Sequence, residues 1–445
     1  MKRHAAILLA ILLLGTLPLH GADLVPTVVR VHRNPGDLRS IRVAENHLVA
    51  TTAAGECWSV PITAVAAAAR EPQEGLSPVW APPQFTGGSP CPVYPALIPA
   101  LEFDGFPVTA RATFAGTEFT ATYGGGLFRS TGEELASSPP EIRDLAVVEN
   151  HLLMAHSRGL AAFDGTTLAP IRLEGPPVAD ITALEWVGDT LWAGSFDHGL
   201  VFYRMGRWEP APTMSGHGGD WINALCWDGA TLWVGSAAGL GRWDPVPGWV
   251  VAESGVEGRV QSIRCGGRGM VVATASSLWI GGDHEWKQID LAGEALHTAV
   301  RHGDGLWAAG LRGILRRRGG NWERDTELNG RLPDSWVTAL LPDGGGIWAG
   351  TYDAGVLRLQ GNGKWRTMVR DAWINPNAMV LTPAGAAMGT MGDGLLLYDR
   401  STKTWQRLTS ISGLPSDDVT ALRSAGDTLW VGTRAGIAEV RWLER

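Results

Sequence analysis

Charge is scarce in this chain. Of 445 residues only 18% are charged, and 45 Asp and Glu against 37 Lys and Arg give a formal charge of −8. Such a balance offers no broad positive field for nucleic acid or an anionic membrane. Lysine is nearly missing, with only Lys2, Lys287, Lys364 and Lys403. The four cysteines include no C-x-x-C pair, so neither a dithiol redox motif nor a zinc site is indicated. Past the N-terminus no run of 18 apolar residues occurs, so no helix is expected to span a membrane. Glycine does not recur at every third position, which excludes collagen. What the chain has in excess is glycine, with 58 residues, and tryptophan, with 21. Its 45% hydrophobic content suffices for a large core.

Met1-Lys2-Arg3-His4 is a short basic region, followed by the apolar run Ala5 to Leu19 and then Gly21-Ala22. This is the layout of a secretory signal peptide over residues 1–22, which places the mature protein in the periplasm or outside the cell. In that oxidising setting Cys57 and Cys91, both in an irregular N-terminal part, are the expected disulfide. Cys226 and Cys265 fall inside apolar strand patterns and read as buried free thiols.

Internal repetition decides the fold. Thr190-Leu-Trp-Ala-Gly-Ser195, Thr231-Leu-Trp-Val-Gly-Ser236, Gly346-Ile-Trp-Ala-Gly-Thr351 and Thr428-Leu-Trp-Val-Gly-Thr433 are copies of one phrase. Weaker copies bring the anchors, the last small or polar residue of each, to 51, 122, 156, 195, 236, 274, 310, 351, 390 and 433. From 122 onward the step averages about 39 residues. Before each anchor lies an apolar strand such as Ile181-Thr-Ala-Leu184, then a tight turn, often Gly-Asp or Asp-Gly. After it come a Gly-led third strand and a fourth carrying its own Trp: Trp208, Trp249, Trp286, Trp322, Trp365 and Trp405.

Four short strands per repeat is the pattern of a β-propeller blade. The fold class is therefore all-β: a single β-propeller of about ten four-stranded blades over residues 23–445. The two Trp series fill the wedge between blades as it widens outward. The last copy lacks a fourth strand, and Val25 to His32 is a strand lacking a repeat. It is expected to complete the last blade and close the ring. Between the first two anchors, Pro72 to Pro107 holds nine of the 27 prolines, which marks an insertion at about 70–107. A short helix at Ala64 to Arg70 is expected ahead of it.

The unit Val-Thr-Ala-Leu, Gly-Asp-Thr-Leu-Trp-Val-Gly-Thr, Gly-Ile resembles the two-component regulator propeller repeat. Asp418 to Ile437 carry it most closely, and Ile181 to Leu200 and Val337 to Val356 nearly so. The loop Gly413-Leu414-Pro415-Ser416-Asp417-Asp418-Val419 also resembles the one leading into that family's first strand. The resemblance implies a propeller of the kind that forms extracytoplasmic ligand-sensing regions of bacterial sensor kinases. This chain carries no kinase or receiver segment beside the repeat, so what carries over is recognition.

No catalytic or metal-binding motif appears, and no cofactor is implied. Asp189, Asp228, Asp304, Asp343 and Asp427 recur in the first turn of successive repeats, where a carboxylate holds turn amides. Departures from the repeat are more informative. Two loops between second and third strands are longer than the rest, Ser195-Phe196-Asp197-His198-Gly199 and Thr351-Tyr352-Asp353-Ala354-Gly355. On the same expected face Trp221, Trp336 and Trp373 precede first strands, outside both Trp series. Arg158, Arg312 and Arg434 occupy corresponding short loops. Aromatics with a few charges around a concave mouth suit a protein, peptide or glycan partner. The alternative is a propeller lyase or hydrolase using Asp197, His198 and Asp353, which requires those side chains to converge. N-terminal sequencing of protein recovered outside the cytoplasm should begin close to Asp23, and a chain still starting at Met1 would contradict the signal peptide.

Overall fold

The computed structural model describes residues 24–444 except 34–37, 53–56, 71–100, 157–158, 172–174, 177, 197, 212–220, 245–247, 252–254, 267–268, 283–284 and 292. The signal peptide, Cys91 and most of the Pro-rich insertion lie outside the described residues. The Cys57–Cys91 pairing therefore stays a proposal.

Each repeat folds as an antiparallel meander. Ile181–Val187, Thr190–Ser195, Leu200–Arg204 and Arg207–Pro210 pair in that order, and the later copies follow the same plan. Among the described residues ten sheets result, nine of four strands and one of three. In the last sheet Leu24–His32 pairs with Gly436–Glu444, setting Val28 opposite Val440 and His32 opposite Ile437. The propeller, the sheet count and the closing strand are thus as the repeat implies. The expected helix is present as Ile62–Arg70, packed on Cys57–Pro61 and Leu168–Ile171.

The packing of first strands sets how the ten sheets are arranged. Ile181–Val187 lies against Ile222–Trp227, followed in turn by Val260–Arg264, Leu296–His302, Val337–Pro342, Ile374–Leu381 and Val419–Ala425. Val419–Ala425 then lies back against Ile181–Val187. Seven blades therefore close a ring among themselves, numbered here 1 to 7 from residue 181. The other three sheets stack side by side through Phe106–Phe114, Ile142–Val148 and Leu38–Ala44. The ring counts seven blades and the stack three, in place of one ring of ten. Near-identical repeats do not state where a ring closes. That is decided by which seams form.

The seams share one construction. A Cβ added at Gly194, Gly235, Gly350 or Gly432 would sit no more than 2.7 Å from a side-chain carbon of Ile222, Val260, Ile374 or Ile181, respectively. Each of those is the first residue of the next blade, so the Gly of Leu-Trp-Val-Gly lets neighbouring sheets approach. The extra residue bulged into the first strand reaches the same spot. Asn223 Nδ2 donates to Val260 O at 2.9 Å and Asn375 Nδ2 to Val419 O at 2.8 Å. Thr182 Oγ1 donates to Ile222 O, and Thr420 Oγ1 closes the ring by donating to Ile181 O. Further out, the two Trp series meet edge to face: Trp233 with Trp286 at 79°, Trp307 with Trp365 at 81°, and Trp348 with Trp405 at 85°.

At the seam between blades 7 and 1 the wedge is His32 of the closing strand. Its ring stacks on Trp430 at 5.4 Å and meets Tyr203 and Trp208 edge-on. Nδ1 accepts from Trp208 Nε1 at 3.2 Å, which leaves Nε2 to donate to Glu439 Oε1 at 2.8 Å. Burial pushes the His32 pKa down, against the opposing pull of Glu439, and Arg30 lowers it further.

Two features depart from the plan. Cys226 and Cys265, expected as free thiols, are joined in a disulfide with Cα atoms 6.0 Å apart. Their sequence separation of 39 equals one repeat, which puts equivalent regions of blades 2 and 3 side by side. Cys226 is buried in its strand, while Cys265 sits half-buried just past the end of Val260–Arg264. In blade 6 the first strand bulges widely, with Ile374 opposite Thr390 and Met379 opposite Met388. The bulge holds Asn377 at φ 58°. Its Nδ2 donates to Gln261 O of blade 3 at 2.9 Å and reaches His297 O of blade 4 at 3.5 Å.

Gly350→Val is expected to destabilise the protein by about 1–3 kcal/mol through overpacking against Ile374, read as a lower denaturant midpoint. Burial of His32 and partial burial of His297 depress both pKa values and favour the neutral imidazoles. Their contribution is fully present above the unfolded pKa of about 6.5 and is lost as pH falls below it. Melting curves between pH 7 and about 5.5 should show falling stability, with a shallower slope in His32→Asn. A pH-independent midpoint in the wild type would rule this out.

Candidate functional site

The recurrent turn carboxylates do structural work. Asp228 Oδ1 accepts from the amides of Ala230 and Thr231, while Oδ2 accepts from Trp233 Nε1 at 2.6 Å. Asp343 repeats this with Gly345 and with Trp348 Nε1 at 2.9 Å. These turns lie at the opposite end of the strands from the repeat anchors.

At the anchor end a second regularity builds a face. The anchor hydroxyl closes the following loop, as Ser195 Oγ donates to Gly199 O at 3.2 Å and Thr351 Oγ1 to Gly355 O at 2.8 Å. The next residue then bonds the residue just before its own first strand. Phe196 N donates to Asp180 O, Ala237 N to Trp221 O and Leu311 N to Ala295 O. Tyr352 N donates to Trp336 O, Met391 N to Trp373 O and Arg434 N to Asp418 O. These paired positions form a collar around one mouth of the ring.

Across seams the collar side chains meet. Phe196 of blade 1 stacks on Trp221 of blade 2 with centroids 5.2 Å apart. Trp336, Tyr352 and Trp373 form a ladder over blades 5 and 6, at 4.0 and 5.5 Å with planes within 11° and 10° of parallel. Arg434 of blade 7 bridges Asp418 at 2.6 Å and Asp180 of blade 1 at 2.8 Å. Arg259 lies over Trp221 at 6.0 Å. Despite this mutual contact the rings stay wet: Phe196 is 41% exposed, Trp221 43%, Trp336 39% and Trp373 46%.

Most of the sequence-nominated residues are thus brought to one face, though not to one point. Asp197 and Arg158 lie outside the described residues. His198 is in the blade 1 loop, its amide donating to Ser195 Oγ at 2.8 Å. Asp353 is in the blade 5 loop, its amide held by Asp334 Oδ2 at 3.0 Å. Blades 1 and 5 do not adjoin, and no described contact unites these two as an acid–base pair. Among the described residues no group of three His, Cys, Asp or Glu is placed to hold a metal. Arg434 is committed to the last seam. Arg312 leans over Gly293, whose added Cβ would lie 3.7 Å from its guanidinium. Sequence reasoning missed Leu311, Arg259, Asp180 and Asp418 as collar members. The signal was available for all four: Leu311 stands one residue after an anchor, and Asp180 and Asp418 stand one before a first strand. Arg259 likewise precedes Val260.

No family profile matches the sequence, and no characterised protein matches it at the sequence level. The fold, in contrast, has many solved counterparts. PorZ of Porphyromonas gingivalis, described as an essential bacterial surface component of the type-IX secretion system, is 15% identical. The match covers 91% of this chain and 68% of PorZ at a TM-score of 0.52. The WD40 β-propeller domain of Doa1 is 12% identical over 60% of this chain and 94% of its own, at 0.51. The extracellular domain of a putative hybrid two-component system from B. thetaiotaomicron is 13% identical over 91% and 69%, at 0.48. The likeness to PorZ and to the Doa1 domain shows the propeller fold. No helix among the described residues is long and apolar enough to cross a membrane.

Proposed function

We propose that the protein is an exported, non-enzymatic propeller of the two-component regulator type that recognises a protein, peptide or glycan partner through its collar. One observation carries this reading. Five large apolar side chains, Phe196, Trp221, Leu311, Trp336 and Trp373, stand at least 39% exposed around a single mouth. Trp233, Trp307 and Trp348 of second strands and Trp286, Trp365 and Trp405 of fourth strands are wedged in seams, a duty the exposed collar aromatics do not share. Aromatic side chains kept in water on a rigid ring are the composition of a binding hot spot. The signal-peptide layout and the repeat resemblance support export and a sensor- or scaffold-like role. Recognition by the collar requires the bound partner to cover the ladder.

The test is capture from an envelope fraction with wild type and the double variant Trp336→Ala/Trp373→Ala. The variant should lose the recovered partner while keeping the wild-type melting temperature, because both rings are exposed. Equal recovery by the two proteins would show that the collar is not the binding surface.

A further inference from the structure

The collar is not uniform, and its asymmetry narrows the partner; this inference rests on the collar being the binding face. Over blade 7 and the start of blade 1 it is ionic and self-satisfied, with Arg434 shared between Asp418 and Asp180. Over blades 4 to 6 it is an apolar arc running from Leu311 through Trp336, Tyr352 and Trp373 to Met391. The flat faces inside this arc are turned on one another, with Tyr352 lying between the two indoles. A pyranose ring stacking on an aromatic needs an open face, and both faces of Tyr352 and one face of each indole are taken. The indole edges are open as well. No hydrogen bond among the described residues uses the Nε1 of Trp336 or Trp373, so two indole donors are left for carbonyl acceptors.

Carboxylates rim the same arc. Asp334 sits beneath it, accepting from Trp336 N at 2.8 Å and Asp353 N at 3.0 Å. Asp353 and Asp371 are exposed, next to Tyr352 and two residues before Trp373. None of the three takes part in an ion pair among the described residues. Arg370 is the single cation in the loop leading to Trp373. With Asp334, Asp353 and Asp371 against Arg312 and Arg370 the arc is net negative, and together with its unpaired indole donors it is complementary to an extended backbone carrying Lys or Arg. The aliphatic stems of such residues lie along the rings while their heads reach the Asp rim. We infer that the arc over blades 4 to 6 docks an extended basic peptide segment of a partner protein, with Trp336 and Trp373 bonding its carbonyls and Asp353 and Asp371 its cations.

The experiment titrates the intact mature chain, by tryptophan fluorescence and calorimetry, with three probes. They are acetyl-Val-Lys-Val-Lys-Val-Lys-amide, the same peptide with Glu for Lys, and chitohexaose. The basic peptide should bind at least about tenfold tighter than the acidic one. Its affinity should fall about tenfold in Asp353→Asn/Asp371→Asn and weaken as salt rises from about 50 to about 500 mM. Both substitutions are exposed and isosteric, so an unchanged melting curve certifies the fold. Equal binding of the two peptides, or full affinity in the Asn variant, would overturn the assignment. If chitohexaose binds, the basic peptide does not, and Trp336→Ala/Trp373→Ala abolishes binding, the basic-peptide assignment falls and the collar reading stands. Probes that bind wild type and the Trp variant alike would sink both.

Discussion

The architecture depends on one close approach, repeated at five of the seven seams of the ring: a glycine in a second strand facing the β-branched residue that opens the next blade. At Gly194, Gly235, Gly389 and Gly432 the sheets come near enough for the bulged Thr or Asn to bond the neighbour's first carbonyl. The outer Trp pairs then fill the gap the wedge leaves. Close-packed interiors tolerate little change in volume, so the seam works as a unit. The closing seam is the same device with one replacement. Gly432 faces Ile181 and Thr420 bonds it, while His32, from the opposite end of the chain, enters the aromatic wedge beside Trp430.

Much of this was legible in the residues. The Leu-Trp-Val-Gly phrase and the Gly-led third strand specify a blade because period-two strands need small residues where backbones meet. The orphan strand ending at His32 could be matched to the blade lacking one. The closure of seven blades was not legible, because Ile181, Ile222 and Val260 look alike as seam partners. Only packing shows that Val419 to Ala425 meets Ile181 to Val187. The Cys226–Cys265 bond was readable in principle, since a separation of one period means adjacency. It was obscured by strand patterns that look the same for a buried thiol and a bonded one.

The candidate site was half legible. Trp221, Trp336 and Trp373 stood out because they belong to neither periodic series, and all three reach the mouth. What the sequence hid is that they are members of a register. In six of the seven ring blades the residue after the anchor and the residue before the first strand are hydrogen-bonded partners, so a substitution at any of these positions changes the same surface. Aromatic pairs form where two large residues fall across one seam, as Tyr352 and Trp373 do. An ion pair forms where Arg434 falls opposite Asp180. One backbone rule thus yields both the greasy arc and the ionic arc, with side-chain identity deciding between them.

Asn377 gives the wheel a spoke. Bonds at the rim pass force only from one blade to the next, but this side chain joins blade 6 to backbone oxygens of blades 3 and 4 across the hub. A load applied at the rim near Trp373 therefore has a short route to the far side that skips the intervening seam. The side chain lies in the bore, so the channel at that depth is narrower than the first strands alone would leave it.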